Sequence, residues 1–455
     1  MRRAALALGG VLVATSLAGC SDEPPPLARG GQPNILLVVA DDLGWADVGC
    51  YAGAPAWTPR LDALAGQGVR CTDFYAAAPI CSPSRASLLT GRTPERHGLR
   101  QALLEDDAIE GLDRYQPLLP EYLQGCGYTT ALVGKWHLGA AREYRPRRRG
   151  FDEFFGMLQA SSDYWHHRFR GEPDLWQGDA PVERDGIYST ELFTAEAVAF
   201  LERQAGAPQR RPWFLMLAYN APHRADDRVS LPAPERWTQQ FAALDLPQPR
   251  KDTLAAVAAL DEGIGQVLDA LGRLRMEADT LVIVISDNGP PREPGSTSPL
   301  RGEKDTLDEG GIRVPCLVRW PGRLPAGAVC AEPLSAIDLA PTLLADACVE
   351  PPRDVSMDGL DILPALAGRS PSPHETLFWS HRSLRRDFGG ERAQWSAVRQ
   401  GRWRLTLSPD GGTELHDLAE DPGQTRDRAA ERPDLVGQLS ALLERHEAEA
   451  AVWAR

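Results

Sequence analysis

Four short apolar runs, each ending in a cluster of polar residues, constrain the fold of this chain more than any other feature. Asn34–Ala40 (NILLVVA) runs into Asp41-Asp42, and Thr129–Val133 (TTALV) leads into Lys135-Trp136-His137. Trp213–Tyr219 (WFLMLAY) leads into Asn220-Ala221-Pro222-His223, and Thr280–Ser286 (TLVIVIS) into Asp287-Asn288-Gly289. Continuous aliphatic runs of this length read as strands buried on both faces, the pattern of a parallel sheet. A fifth run, Cys316–Trp320 (CLVRW), extends the set. Between the runs lie helical stretches, Thr58–Gln67, Thr190–Gln204 and Leu254–Leu271, the last apolar at 257, 260, 264, 267, 268 and 271. The expected fold class is α/β, a large, mostly parallel central sheet with helices on both faces. In open α/β sheets ligands bind outside the carboxyl ends of the strands, so four polar clusters there mark one rim.

After about residue 370 the pattern changes. Trp403, Leu405 and Leu407 alternate with polar residues, Asp410-Gly411-Gly412 turns the chain, and Glu414–Leu418 returns as a second strand. Leu435–Val452 then reads as an amphipathic helix. The expected division is a catalytic domain over 33–370 and a smaller C-terminal α+β subdomain with a short antiparallel sheet over 371–455. At the other end, Arg2-Arg3 followed by the apolar Ala4–Leu17 reads as a signal peptide over 1–19. Leu17-Ala18-Gly19-Cys20 is similar to the bacterial lipobox, whose cysteine is lipidated, and 20–32 with Pro24-Pro25-Pro26 suits a flexible tether. The expected location is the bacterial cell envelope, in the periplasm or at the outer membrane or cell surface, anchored to the membrane through Cys20. Export makes Cys50, Cys71, Cys126, Cys316, Cys330 and Cys348 candidates for disulfides, with no pairing readable from sequence.

The chemistry lies in the strand-end clusters. A formal charge of −14 argues against nucleic acid as a partner. The chain has three lysines (Lys135, Lys251, Lys304) against 46 arginines, and two of the three fall at the rim. A lysine kept on such a background points to a compact ammonium beside an anion. Asp41, Asp42, Asp287 and Asn288 offer an oxygen-only ligand set, which suits Ca²⁺ or Mg²⁺ and not zinc. In Cys81-Ser82-Pro83-Ser84-Arg85, Ser82 is the expected helix cap, Pro83 the first helical residue, and Gly91 the stop. Cys81 would then face the positive end of a helix, with Arg85 one turn on. The sequence leaves Cys81 open between a residue at an anion site, a disulfide partner and a thiolate nucleophile. His137 and His223 are candidates for proton transfer. His166 and His167 read as loop residues, and His374, His381, His416 and His446 as structural or exposed. The segment 144–186, rich in arginine and carrying Tyr164, Trp165 and Trp176, is expected either to roof the pocket and stack on a sugar or aryl group, or to be a solvated loop. Together these groups form an electropositive pocket for hydrolysis of a sulfate or phosphate ester, and charge alone does not choose between them.

These motifs resemble the type I sulfatase family, on its arylsulfatase/N-acetylgalactosamine-6-sulfatase side. C-S-P-S-R-A-S-L-L-T-G at 81–91 matches the family's maturation signature. N-I-L-L-V-V-A-D-D-L-G at 34–44, G-K-W-H-L-G at 134–139, A-P-H at 221–223, D-N-G at 287–289, R-G-E-K-D-T-L-D-E-G-G-I-R-V-P at 301–315 and E-L-H-D-L-A-E-D-P at 414–422 follow in the family's order. Pro290 after D-N-G is shared with arylsulfatase A-like members, while Asp305 stands where a glycine is common. The resemblance implies an alkaline-phosphatase-like sandwich. It also implies one Ca²⁺ held by Asp41, Asp42, Asp287 and Asn288, with residue 81 as a further ligand. Cys81 would be oxidised by a formylglycine-generating enzyme to formylglycine (3-oxoalanine), whose hydrate attacks sulfur. Arg85 and Lys135 would orient that side chain, and His137 would assist its hydroxyl. His223, as general acid, and Lys304 would face the sulfate and leaving oxygen. The implied substrates are sulfated small molecules or glycans. A phosphonate or phosphodiester hydrolase sharing the Cys-x-Pro-x-Arg motif and an inactive, lipid-tethered binder of sulfated polymers are the alternatives.

Overall fold

The computed structural model describes residues 31–453 apart from 53–56, 104–110, 226–230, 232, 293–294, 348, 350–354 and 384–392. The signal-peptide reading, Cys20, most of the tether and Cys348 therefore lie outside the described residues. A ten-stranded sheet forms the centre. Its strands are β1 (Asn34–Ala40), β2 (Val69–Cys71), β3 (Thr129–Lys135), β4 (Glu153–Met157), β5 (Trp176–Gln177), β6 (Ala180–Pro181), β7 (Trp213–Ala218), β8 (Thr280–Ser286), β9 (Cys316–Arg319) and β10 (Ala328–Cys330). Their spatial order is β10-β2-β9-β8-β1-β7-β3-β4-β5-β6. The five strands β8-β1-β7-β3-β4 are mutually parallel.

Both faces of β1 are buried, and period-two alternation divides its side chains between two cores. Ile35, Leu37 and Val39 join Leu88 and Leu89 of helix α2 (Cys81–Thr90) and Leu339 and Leu343 of helix α5 (Leu339–Asp346). Leu36, Val38 and Ala40 join Leu61 and Leu64 of helix α1 (Pro59–Gln67), Phe193 and Phe200 of helix α3 (Ser189–Gly206), and Val257 and Ile264 of helix α4 (Gln248–Arg273). The fold is the mostly parallel α/β sandwich that the apolar runs predict. One run departs from that pattern. Cys316–Arg319 pairs antiparallel with both β8 and β2, because a buried apolar run carries no mark of strand direction.

The C-terminal sheet has four antiparallel strands, β11 (Thr376–Arg382), β12 (Gln394–Gln400), β13 (Trp403–Leu407) and β14 (Thr413–Asp417). The hairpin β13–β14 follows the sequence reading, whereas β11 and β12 escaped it. Val398, Leu405 and Leu415 pack on Leu439 and Leu443 of helix α6 (Pro433–Trp453). The other face, with Leu377, Trp379 and Ala397, packs on Tyr75, Leu307 and Ile312 of the larger body. Among the described residues, no helix is long and apolar enough to cross a membrane.

Candidate active site

Parallel register brings the polar clusters to one edge. Ala40 lies opposite Ser286, Val39 opposite Ala218, and Ala218 opposite Gly134, so Asp41, Asp287, Asn220 and Lys135 leave neighbouring strand ends. Gly134 is required there: at φ +108, a Cβ would lie 1.9 Å from the Ala218 carbonyl oxygen.

Helix α2 enters this edge with Cys81 as its first residue and Ile80 as cap, two residues earlier than the sequence suggests. Ser82 does not cap, because its hydroxyl accepts the Leu103 N–H at 3.2 Å instead. The expected stop holds, with Gly91 at φ 66 donating to the Ser87 carbonyl. Behind the helix, His97 fixes Ser87 through Nε2 at 2.9 Å. Cys81 Sγ contacts Asp41 Oδ1 and Lys304 Nζ, both at 3.4 Å. Ser84 Oγ donates to the Asp287 carbonyl. Arg85, fully buried, donates Nε to Asp287 Oδ2 at 2.9 Å and Nη1 to the Lys135 carbonyl at 3.2 Å, with Nη2 in ion-pair contact 2.8 Å from the same Asp287 oxygen.

The two rim lysines split between the two carboxylates after β1. Lys135 Nζ donates to Asp41 Oδ2 at 2.5 Å, and Lys304 Nζ lies 2.6 Å from Asp42 Oδ1. Asn288 Nδ2 donates to Asp42 Oδ1 at 2.7 Å. His223, which follows the Ala221-Pro222 bond, places Nε2 3.7 Å from Asp42 Oδ2. Its Nδ1 is 2.6 Å from the Arg224 carbonyl, so Nδ1 carries the hydrogen and Nε2 faces the site. His137 donates Nε2–H to the Leu103 carbonyl at 3.2 Å, which leaves its buried Nδ1 without a partner.

Charge is concentrated here out of water. Burial opposes ionisation of Asp41, yet Lys135, His223, Arg85 and Lys304 hold its carboxyl well below the usual range. Asp287 is pushed up to about 6 by burial and by Asp41. Burial, with Lys304 adding to it, brings His223 down to about 4. Burial and Lys135 take His137 well below the usual imidazole range. Burial pushes the Cys81 thiol up to about 12 against the pull of both lysines. That burial disfavours the unmodified thiolate among the readings of Cys81. Among the described residues Cys81 and the five other cysteines are all free, so no expected disulfide is seen there.

The residues present fit a hard cation. The Asn288 side-chain oxygen is buried and has no hydrogen-bond partner, beside three carboxylates. One ligand atom from each of Asp41, Asp42, Cys81 and His223 lies within 4.8 Å of the others. Asp287 is turned partly away, with Oδ2 on Arg85 and Oδ1 accepting the Asp42 N–H at 3.2 Å.

All of the sequence-predicted site residues thus meet at one edge, and the segment 144–186 is part sheet and part exposed turns. It contributes β4, β5 and β6 to the central sheet. Tyr164 has no exposed surface; its hydroxyl donates to the carbonyls of Asn220 at 3.0 Å and His223 at 2.7 Å, bracing the turn that carries His223. Trp165 packs on Tyr188, and Trp176 lies under Arg145 with 4.1 Å from guanidinium carbon to ring centre.

One contact beside Lys304 was only half visible in sequence, through Asp305 standing where a glycine is common. Asp305, next to Lys304, has φ 67, a left-handed conformation. Its carboxylate accepts His381 Nε2 at 2.6 Å and Ser383 Oγ at 2.9 Å. His381 lies one residue before the end of β11, so the small sheet grips the loop that delivers Lys304. Replacing His381 with alanine is expected to lower kcat/KM for an aryl ester about tenfold or more, since each lost charged hydrogen bond is worth about 1.5–3 kcal/mol. Steady-state kinetics would show this, and an unchanged kcat/KM in a folded variant would refute the grip.

Comparison with known proteins places the molecule. A family model described as Sulfatase matches residues 33–347, and one described as N-sulphoglucosamine sulphohydrolase, C-terminal, matches 303–448. The chain is 37% identical over 388 residues to N-acetylgalactosamine-6-sulfatase of Canis lupus familiaris, covering 79% of this chain and 69% of that protein. It is 34% identical over 438 residues to arylsulfatase A of Homo sapiens, covering 91% and 82%. Among solved structures, Ps i-CgsB in complex with k-i-k-neocarrahexaose superposes with a TM-score of 0.83 at 30% identity, covering 91% and 93%.

Proposed function

The chain belongs to the sulfatase family and hydrolyses sulfate esters, and we propose that it does so on a sulfated carbohydrate, with Cys81 matured to formylglycine and one Ca²⁺ at the strand ends. The observation that carries this reading is the placement of Cys81. It is the first residue of a buried helix, with its sulfur 3.4 Å from both an aspartate oxygen and a lysine ammonium. Asp41, Asp42, Asp287 and Asn288 would hold the cation, which supplies Lewis-acid stabilisation of negative oxygen when bound. Matured, residue 81 supplies an oxygen nucleophile in place of a buried thiol.

The chain's own groups then divide the work. Arg85 is locked by Asp287 and the Lys135 carbonyl, and so fixes the first turn of α2 on which residue 81 rides. Lys135 and Lys304 place positive charge against the anionic ester in a site largely closed to water, where such charge counts most. With Nε2–H committed to Leu103, His137 has Nδ1 left to accept the proton of a hydroxyl on residue 81. His223, its Nδ1–H committed to Arg224, can present a proton to the leaving oxygen only at Nε2. The carbohydrate substrate is supported by the relatives' names: an N-acetylgalactosamine-6-sulfatase and a structure in complex with a neocarrahexaose. Export and anchoring through Cys20 belong to the same proposal and rest on residues 1–20 of the sequence.

The test is mass spectrometry of the tryptic peptide 71–85 from protein made in a host able to oxidise the motif, with turnover of matched aryl sulfate and aryl phosphate esters. A formylglycine mass at Cys81 with faster sulfate turnover is expected. A thiol at Cys81, in a host shown to mature a control sulfatase, would overturn the nucleophile. Faster turnover of the phosphate ester would overturn the substrate class.

A further inference from the structure

A cavity of about 500 Å³ lies at the opposite end of the sheet from Cys81. It is bordered by Asn34 at the start of β1, Trp213 at the start of β7, Asp279 just before β8, and Trp320 just after the antiparallel β9. Seven residues of β1 at about 3.3 Å each put this face roughly 20 Å from the catalytic edge. Four arginines line it, Arg210, Arg211, Arg275 and Arg323. None of their guanidinium groups has an ion-pair partner among the described residues, and the first three are exposed. The acids nearest in sequence are occupied elsewhere, Glu202 by Arg273 at 3.2 Å and Glu277 by Arg319 at 2.9 Å. Asp279 alone offsets the four charges in the lining. On a chain of net charge −14, a patch of unneutralised arginines at one end is a directional feature.

Where the chain enters the fold supplies the second observation. Gly31, Gln32 and Pro33 line the same cavity, so the segment leading back to Cys20 departs from the arginine face. Ten residues separate Cys20 from Gly31, and a flexible chain of that length has a mean reach on the order of 20 Å. A membrane attachment at Cys20 would therefore join the fold at this face and not at the catalytic edge.

We propose that the Arg210-Arg211-Arg275-Arg323 face is a docking surface for an anionic lipid bilayer, which holds the enzyme with its catalytic edge pointing away from the membrane. The orientation rests on the lipid-tether reading of Cys20. The charge argument does not, since a basic patch near an anionic surface gains about fivefold in partitioning for each arginine. A sulfated polymer could satisfy the same charges. It is disfavoured because a chain bound here lies across the thickness of the sheet from the site that would cleave it.

The experiment is hydrogen–deuterium exchange of the full chain, purified from a lipidating host and reconstituted on vesicles of phosphatidylcholine alone or mixed with phosphatidylglycerol. On the anionic vesicles, amides of 204–213 and 274–279 are expected to exchange at least about fivefold more slowly than on the zwitterionic ones. High salt and the variant R210Q/R211Q/R275Q/R323Q should both abolish the difference, with arylsulfate hydrolysis unchanged. Equal exchange on the two vesicle types would overturn the proposal. So would protection by soluble dextran sulfate that exceeds protection by anionic vesicles. The mass of the N-terminal peptide reads the tether separately. If Cys20 carries no lipid, that reading fails, and sedimentation of the same protein decides the arginine face: binding to anionic but not zwitterionic vesicles supports it, and binding to neither overturns it.

Discussion

Replacing Cys81 with alanine is expected to lower arylsulfate turnover at least about a thousandfold, the scale on which loss of a covalent nucleophile is felt. The physical basis is that nothing nearby can take over its role. Asp41 is tied to Lys135, Asp42 to Lys304 and Asn288, and Asp287 to Arg85. Each carboxylate that could attack is already paired and placed to hold a cation. The substitution removes one sulfur from a helix end whose first turn is fixed by Ser84 and Arg85, so the fold should survive. Circular dichroism and the thermal transition would show wild-type behaviour beside the lost turnover. Residual activity within tenfold of wild type would refute the role given to residue 81.

The second large effect lies at the joint between the two sheets. Glu309, without exposed surface, accepts Arg404 Nη1 and the Tyr75 hydroxyl at 2.7 Å, and pairs with Arg313 at 3.2 Å. Burial opposes its charge, but Arg404 and Arg313 hold its carboxyl below the ordinary value. Arg404, equally buried on β13, has Glu309 as its ion-pair partner. Glu309→Leu would leave that guanidinium buried and uncompensated, a loss of about 3–5 kcal/mol. Thermal denaturation should show a markedly lower transition, and limited proteolysis should release the C-terminal sheet first. The double variant Glu309→Leu/Arg404→Met should recover most of the loss, because removing both charges also removes the desolvation penalty. A single variant as stable as wild type would show that the pair does not hold the joint.

The two effects also separate what could be read in advance from what could not. Asp41, Asp42, Lys135, His223, Asp287 and Asn288 were legible because each follows an apolar run, and a buried parallel strand must deliver its last residues to one edge. Lys304 was legible through the scarcity of lysine. The contacts that hold these groups were not. Tyr164 was an aromatic in an arginine-rich segment, and only the packed fold shows it bracing the His223 turn. His381 lay 77 positions from Lys304, with no pattern to connect it to Asp305. Ser82, the better cap by residue type, lost that place to Ile80 because Leu103 claimed its hydroxyl.

By itself, then, the sequence determined the sheet, its buried strands and the chemical groups at their ends, because these follow from local periodicity and from residue type. The tertiary structure alone decided the direction of Cys316–Arg319, the four-stranded form of the C-terminal sheet, and the unpaired arginine face opposite the site. It also decided which histidine nitrogen is available and that Cys81 is buried where a thiolate is disfavoured. Each of these depends on which groups meet across long separations and on how much water they keep, and neither quantity is carried by any single stretch of chain.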